Sequence, residues 1–218
     1  TRLIVLQSMG LAKLSRRLHA KTRVIYQSAE KVNGRRPLTE NGFFKVCVIG
    51  HLRPEKDPLR TAMAARQLPP SSRMRVLYIG RPLSAGMKQR LRAEAARNPR
   101  FQWLGEMPHW KTRQILANSH LLSVTSRMEG SSNVLSEAIA SSVPVIASKI
   151  PGLIGTLGNN YPGYFPVGDT SKLARLLQKA ESNLAFYRRL KNYCDRLAPL
   201  VDPKREREAW KELLRELS

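Results

Sequence analysis

Cysteine is nearly missing from this chain of 218 residues: Cys47 lies in an apolar run and Cys194 on a late helical segment. Two such thiols do not make a disulfide framework, so a reducing compartment is expected, with the cytoplasm as the default. No apolar run approaches the roughly 18 residues of a membrane span, and no signal peptide with a cleavage site is visible. Internal repeats and low-complexity tracts are absent too, which excludes a repeat architecture. Acids are scarce, 16 against 38 Lys and Arg, leaving a net charge of +22. That excess favours anionic partners: nucleotide diphosphates, anionic lipid surfaces in peripheral contact, or nucleic acid. The basic residues are dispersed and follow no RNA-recognition, homeodomain or zinc-finger pattern, so nucleic acid is not expected and most of them read as solvated surface. Neither an Asp-x-Asp pair nor a His/Cys cluster occurs, and His109 and His120 have no partner pattern, so no metal site is expected.

What is present reads as a globular chain, 42% hydrophobic and 25% charged, long enough for one full domain and part of another. It opens at Thr1 directly into Leu3-Ile-Val-Leu6, which suggests that the first part of a larger protein is absent. A strand over 3–7, a helix over 11–20 and a strand over 23–27 form a βαβ piece (residues 1–29) that cannot close a core alone. Residues 30–42, rich in Gly, Pro, Asn and charge, read as a linker. Residues 43–202 read as a Rossmann-like α/β domain with a parallel sheet and helices on both faces. Its first strand, Phe43–Ile49, is nearly continuously apolar, as strands buried on both faces are. A helix over 58–68 follows, then strands over 75–80 and 100–105, each succeeded by a helix. Trp103 and Trp110 are expected to pack structurally. Residues 148–164, rich in Gly, Pro and Asn, read as irregular, Asp169 or Thr170 as the cap of a helix over 171–181, and 203–218 as a closing helix.

The chain is organised around Ser126-Arg-Met-Glu-Gly-Ser-Ser-Asn-Val-Leu-Ser-Glu137, which follows the apolar run 121–124. Strand, small-residue loop and helix in that order put the loop at the carboxyl end of a parallel strand, where such sheets bind ligands. Gly130, Ser131, Ser132 and Asn133 let backbone N–H groups approach an anion, and Ser132 or Asn133 can cap the helix. Glu129 and Glu137 bracket the loop eight residues apart, so one could hold sugar hydroxyls and the other a ribose. A second loop, Gly50-His-Leu-Arg-Pro-Glu-Lys-Asp57, offers the cations Arg53 and Lys56.

The Glu-x7-Glu spacing, with Ser126-Arg-Met-Glu-Gly, Ser136-Glu-Ala-Ile-Ala and Pro144-Val-Ile-Ala, resembles the donor-binding motif of retaining nucleotide-sugar glycosyltransferases of group 1, which have two Rossmann-like lobes. The resemblance implies the C-terminal lobe of such an enzyme, with no cofactor and a nucleotide-sugar donor, a UDP-sugar, as substrate. Gly50, Leu52 and Lys56 match that family's Gly-Arg-Leu-x-x-x-Lys-Gly loop, whereas His51 stands for the arginine and Asp57 for the glycine. By resemblance, Lys56 with Arg53 or His51 would stabilise the diphosphate. Glu129 and the amides of Ser131 to Val134 would bind sugar and phosphates, Glu137 the ribose, and Leu104, Gly105 and Glu106 the base. The closing helix would cross back to the other lobe. A narrower resemblance, in 48–58, 126–129, 133–134 and 160–169 but departing at Ser131 and Ser132, is to the selenosugar synthases of selenoneine biosynthesis, which implies a small anionic acceptor, selenophosphate. Two other readings stay open from the sequence: a donor-binding lobe without turnover when its partner lobe is absent, and a basic nucleic-acid-binding α/β protein.

Overall fold

The computed structural model describes residues 3–37 and 42–217; residues 38–41 of the expected linker lie outside it. Among the described residues, no helix is long and apolar enough to cross a membrane. The first sheet has two parallel strands, β1 (Leu3–Val5) and β2 (Thr22–Val24), joined through α1 (Ser8–Ala12) and α2 (Arg16–His19). The single helix expected over 11–20 is thus two short ones. The first starts earlier because the Gln7 side chain caps it, accepting from Gly10 N at 3.2 Å, and the chain restarts at Ser15 with extended backbone. The spacing of Leu11, Leu14 and Leu18 bridges the break, and all three are half-buried.

The second sheet has six parallel strands: β3 (Phe44–Ile49), β4 (Met74–Ile79), β5 (Phe101–Trp103), β6 (Leu121–Val124), β7 (Val145–Ser148) and β8 (Tyr164–Phe165), in the order β5-β4-β3-β6-β7-β8. Their register sets Cys47 beside both Leu77 and Leu122, and Val46, Cys47, Leu121 and Leu122 are fully buried. The order reverses between β3 and β6, so the crevice at their carboxyl ends is the ligand-binding position of such a sheet. Right-handed crossovers place α3 (Arg60–Ala65) and α4 (Ala85–Arg97) on one face, and α5 (His109–Ala117), α6 (Asn133–Ala140) and α7 (Pro151–Leu157) on the other. After β8 come α8 (Thr170–Ser182), packed on α3, α9 (Leu184–Leu197), packed on α6, and α10 (Pro203–Arg215).

Two elements, α7 and β8, fall in the stretch 148–164 that reads as irregular. Pro151 starts α7 at a position where proline is tolerated, and its two glycines hide it from propensity. Gly155 is there because a Cβ would lie 1.8 Å from the buried Gln7 side chain. Ser8 Oγ and Tyr26 Oη both donate to Gly155 O, at 2.9 and 3.2 Å. The helix expected over 58–68 is regular only over Arg60–Ala65. Asp169 caps α8 by accepting from Lys172 N at 2.7 Å.

The described part of the linker, 30–37, is a strap tied across α5 and α6. Val32 N donates to Ser141 Oγ, Arg35 N to Asn118 Oδ1, and the Arg36 guanidinium to Ala117 O and Ser141 O. His120 anchors its end: Nδ1 accepts from Lys45 N at 2.9 Å, so Nε2 carries the hydrogen and donates to Pro37 O. Burial, followed by the charges of Lys45, Arg36 and Arg73, lowers its basicity below the ordinary imidazole value, against the opposing bond to Pro37. α10 returns to the first sheet through a bidentate Arg23–Glu216 pair at 2.7 and 2.8 Å, with Glu206 Oε2 accepting from Ser28 N at 2.8 Å.

Candidate donor site at the strand carboxyl ends

Three adjacent strands end on glycine: Gly50 after β3, Gly80 after β4 and Gly105 after β5, with φ of 149°, 149° and 80°. Gly50 N donates to Ile79 O at 2.9 Å and Gly80 N to Gly105 O at 2.8 Å, while Tyr78 Oη and Trp103 Nε1 donate to Gly50 O and Gly80 O, both at 2.8 Å. A Cβ on Gly80 would lie 2.0 Å from Gly50 O, so this ledge can be built only without a side chain there. Trp103 packs as expected; Trp110 does not, being 71% exposed. Leu104 N and Gly105 O are already engaged by Tyr78 O and Gly80 N, which leaves Leu104 O and Gly105 N for a ligand.

From the ledge the chain makes one 3-10 turn, Pro54–Lys56, and then Asp57 in the left-handed region at φ 44°. Aspartate tolerates that conformation better than most residues, which accounts for its standing where the related loop has glycine. Its carboxylate also takes a structural role, accepting from Arg60 Nε at 2.9 Å, with Arg127 Nε at 3.9 Å. Arg60 continues to Thr170 Oγ1 at 2.7 Å. The loop after β6 is fastened to this turn by Arg127 N donating to Glu55 O at 2.7 Å, and by Thr125 Oγ1 donating to Lys56 O or Asp57 O.

Because the two loops are tied, Lys56 Nζ meets Glu129 Oε1 in an ion pair, and Ser126 Oγ donates to the same oxygen at 2.6 Å. The lysine side chain is 24% exposed and the glutamate 8%, so both charges are largely desolvated and hold each other. A hollow of only about 20 Å3 remains among Lys56, Thr125, Ser126, Glu129, Ser132 and Val134. At that volume the pair closes the hollow to about one water, so an anion could reach Lys56 only by displacing Glu129. Arg53 is exposed, and among the described residues its side chain has no partner. His51 and Arg81 flank Glu106 at 3.9 and 3.7 Å, so the residue standing for the related loop's arginine is turned toward an acid on the loop after β5.

Ser132 is the N-cap of α6, yet its side chain makes no capping bond; its carbonyl accepts from Leu135 N and Ser136 N. The N–H groups of Asn133 and Val134 are left without intrahelical partners, as at any helix start, and a phosphate oxygen is their natural partner. Gly130 is exposed and Ser131 half-exposed on the approach. One turn inside, Glu137 lies with only 11% of its side chain exposed, and its Oε1 is 2.7 Å from His109 Nε2. That pair borders a separate hollow of about 410 Å3, lined also by Ser28, Arg113, Asn133 and Glu206. Ser132 and Val134 therefore face one hollow and Asn133 and Glu137 the other, side by side across the start of α6. A hollow of about 430 Å3 beside Phe44, Arg73 and His120 is at the amino end of β3, so volume alone does not mark the site.

The structure brings Lys56, Glu129, Ser132 and Val134 together at one hollow and Asn133 with Glu137 at its neighbour, while Arg53 and His51 are exposed and line neither. His109, on Glu137, is a contact that sequence reasoning does not assign, and Ser126 and Arg127 stand in the central motif without the contacts to Glu129 and to the turn at Asp57 being foreseen. Their partners are distant in sequence or lie on irregular backbone, where no periodicity signals them.

Residues 32–196 match the family described as Glycosyl transferases group 1. The D-inositol 3-phosphate glycosyltransferase of Nocardia farcinica is 31% identical over 116 residues, covering 50% of this chain and 26% of that protein. Among solved structures, Anabaena HepE in complex with UDP superimposes with a TM-score of 0.76 at 18% identity, covering 99% of this chain and 63% of that one. Sucrose-phosphate synthase from Thermosynechococcus elongatus gives 0.81 at 24% identity, covering 98% and 57%. The chain thus spans less than two thirds of the length of these relatives. With its parallel sheet and helices on both faces, this chain belongs to the group 1 family of glycosyl transferases.

Proposed function

We propose that this chain is the donor-binding half of a retaining glycosyltransferase that uses a UDP-sugar, of the hexosyl type. The observation that carries the proposal is the Lys56–Glu129 pair set beside the start of α6, with Glu137 one turn further in. In this reading Lys56, with Arg53 or His51 from the same loop, neutralises the diphosphate as the bond from the anomeric carbon to its oxygen breaks. The amides from Ser131 to Val134 hold the phosphates, Glu129 the sugar hydroxyls and Glu137 the ribose. Supporting the choice of donor, Anabaena HepE has been solved with UDP and with UDP-glucose.

The proposed acceptor is selenophosphate. Its selenium bonds to the anomeric carbon on the face that UDP leaves as the bond to the UDP oxygen breaks, and water then cleaves the Se–P bond, releasing phosphate and leaving the selenol of a selenosugar. The net charge of +22 and the exposed Arg53 and Arg127 suit such an anion. The same excess supports peripheral contact with anionic membranes, and two buried thiols support a cytoplasmic location. Without an acceptor lobe the chain would bind donor and not turn it over.

UDP is expected to raise the melting temperature, by an increment equivalent to about 2.7 kcal/mol at a hundredfold excess over Kd. Lys56→Ala or Glu137→Ala should remove most of that increment; an unchanged increment in both variants would discredit the site. For the acceptor, UDP release by the full-length enzyme from several UDP-sugars should depend on selenophosphate, and release that is indifferent to it sinks that part.

A further inference from the structure

We infer that His109 is a positioning residue for the ribose of the donor: it orients the Glu137 carboxylate so that the site distinguishes a ribonucleotide from a deoxyribonucleotide. The inference rests on the assignment of Glu137 to the ribose in the proposed function.

Glu137 is on the second turn of α6, largely buried, and a buried carboxylate left alone rotates or takes up a proton rather than present itself to a ligand. Here Oε1 is occupied by His109 Nε2 at 2.7 Å. An ionised carboxylate only accepts, so Nε2 carries the hydrogen. The bond fixes the rotation of the carboxyl group and leaves Oε2 as the oxygen open to ligand hydroxyls.

His109 is itself held by its place in the chain. It is the first residue of α5, after Pro108 at the N-cap with φ −54°. One turn on, the Arg113 guanidinium is bonded to Glu30 O of the strap. The imidazole is 72% exposed, and among the described residues Nδ1 has no hydrogen-bond partner, so the ring gives a ligand a second polar edge. Of the other ionisable groups on this hollow, Arg113 is bonded to the strap and Glu206 accepts from Ser28 N, while Glu30 is exposed at its edge. Glu137 and His109 are the pair there that is hydrogen-bonded to each other and still offers an acceptor and a ring edge to a sugar hydroxyl.

A site built to bond a hydroxyl rejects the analogue that lacks it, because the buried acceptor is then left unpaired. The test is calorimetric binding of UDP, 2′-deoxy-UDP and inorganic pyrophosphate to the wild type, His109→Ala and His109→Gln. The wild type should prefer UDP over 2′-deoxy-UDP by roughly tenfold or more. His109→Ala should bring that ratio to within about threefold and leave pyrophosphate affinity unchanged. His109→Gln, whose amide N–H can replace Nε2–H, should restore the preference. An undiminished ratio in His109→Ala overturns the inference and leaves the proposed function standing. A wild type that binds pyrophosphate and UDP equally removes the ribose from Glu137 and overturns the inference with it. Absence of any UDP binding overturns both.

Discussion

The first turn of α7 is pressed against the backbone of the donor loop: a Cβ built on Gly152 would lie 2.0 Å from the carbonyl oxygen of Glu129. The position of the carboxylate that pairs with Lys56 is thus set partly by a residue that carries no side chain. Gly152→Ala must push either α7 or Glu129 aside, costing about 1–3 kcal/mol of stability. UDP titration of the folded variant should show weaker binding than the wild type. Unaltered affinity would show that α7, and not the loop, gives way.

Lys56 and Glu129 share one contact, so their contributions to donor binding are coupled. Lys56→Ala leaves a nearly buried carboxylate facing the diphosphate, and repulsion adds to the lost cation. Removing Glu129 as well relieves that repulsion. The double variant should therefore bind UDP better than Lys56→Ala alone, by about 1–3 kcal/mol. Equal affinity of the single and double variants would place the diphosphate elsewhere.

Glu94 is a wholly buried acid on α4, held by Arg97 at 2.6 Å, Arg66 at 3.2 Å and the Asn98 amide at 3.0 Å. Both arginines reach solvent, so truncating the acid strands no buried charge. Glu94→Ala should cost about 2 kcal/mol in urea unfolding, with UDP affinity unaffected.

His120 makes stability depend on pH. Burial, the largest cause, lowers its folded proton affinity below the ordinary value near 6.5, so the unfolded chain binds the proton first. Stability should be fully present above about pH 6.5 and decline as the pH falls below it. Urea midpoints measured from pH 7.5 to 5 should show the decline. His120→Asn, whose Oδ1 can still accept from Lys45 N, should flatten it. Identical curves would assign the decline to other groups.

The large sheet is legible in the sequence because its inner strands are buried on both faces, so Phe44–Ile49 and Leu121–Val124 read as apolar runs whatever surrounds them. α7 is not legible: Pro151, Gly152 and Gly155 argue against a helix locally, and what decides is contact with Glu129, Gln7 and Ser8. The central motif was visible through Glu129 and Glu137, whose spacing is short. His109 was not, because its partner is 28 residues away on another helix. Asp57 departs from the related loop's glycine in sequence, and its left-handed backbone and its two arginine neighbours, which account for it, are visible only in the fold. Trp110 shows the opposite failure, a large aromatic that composition assigns to packing and the fold leaves in solvent.

The chain passes between its two sheets twice, and the passages lie side by side: Ala29 N donates to Val201 O at 3.0 Å, and Ser28 N to the first turn of α10. With Ser8 and Tyr26 bonded to Gly155 O on α7, the smaller sheet is moored to the larger at two separate places, so any change in its orientation must loosen α7, the same helix whose Gly152 abuts Glu129.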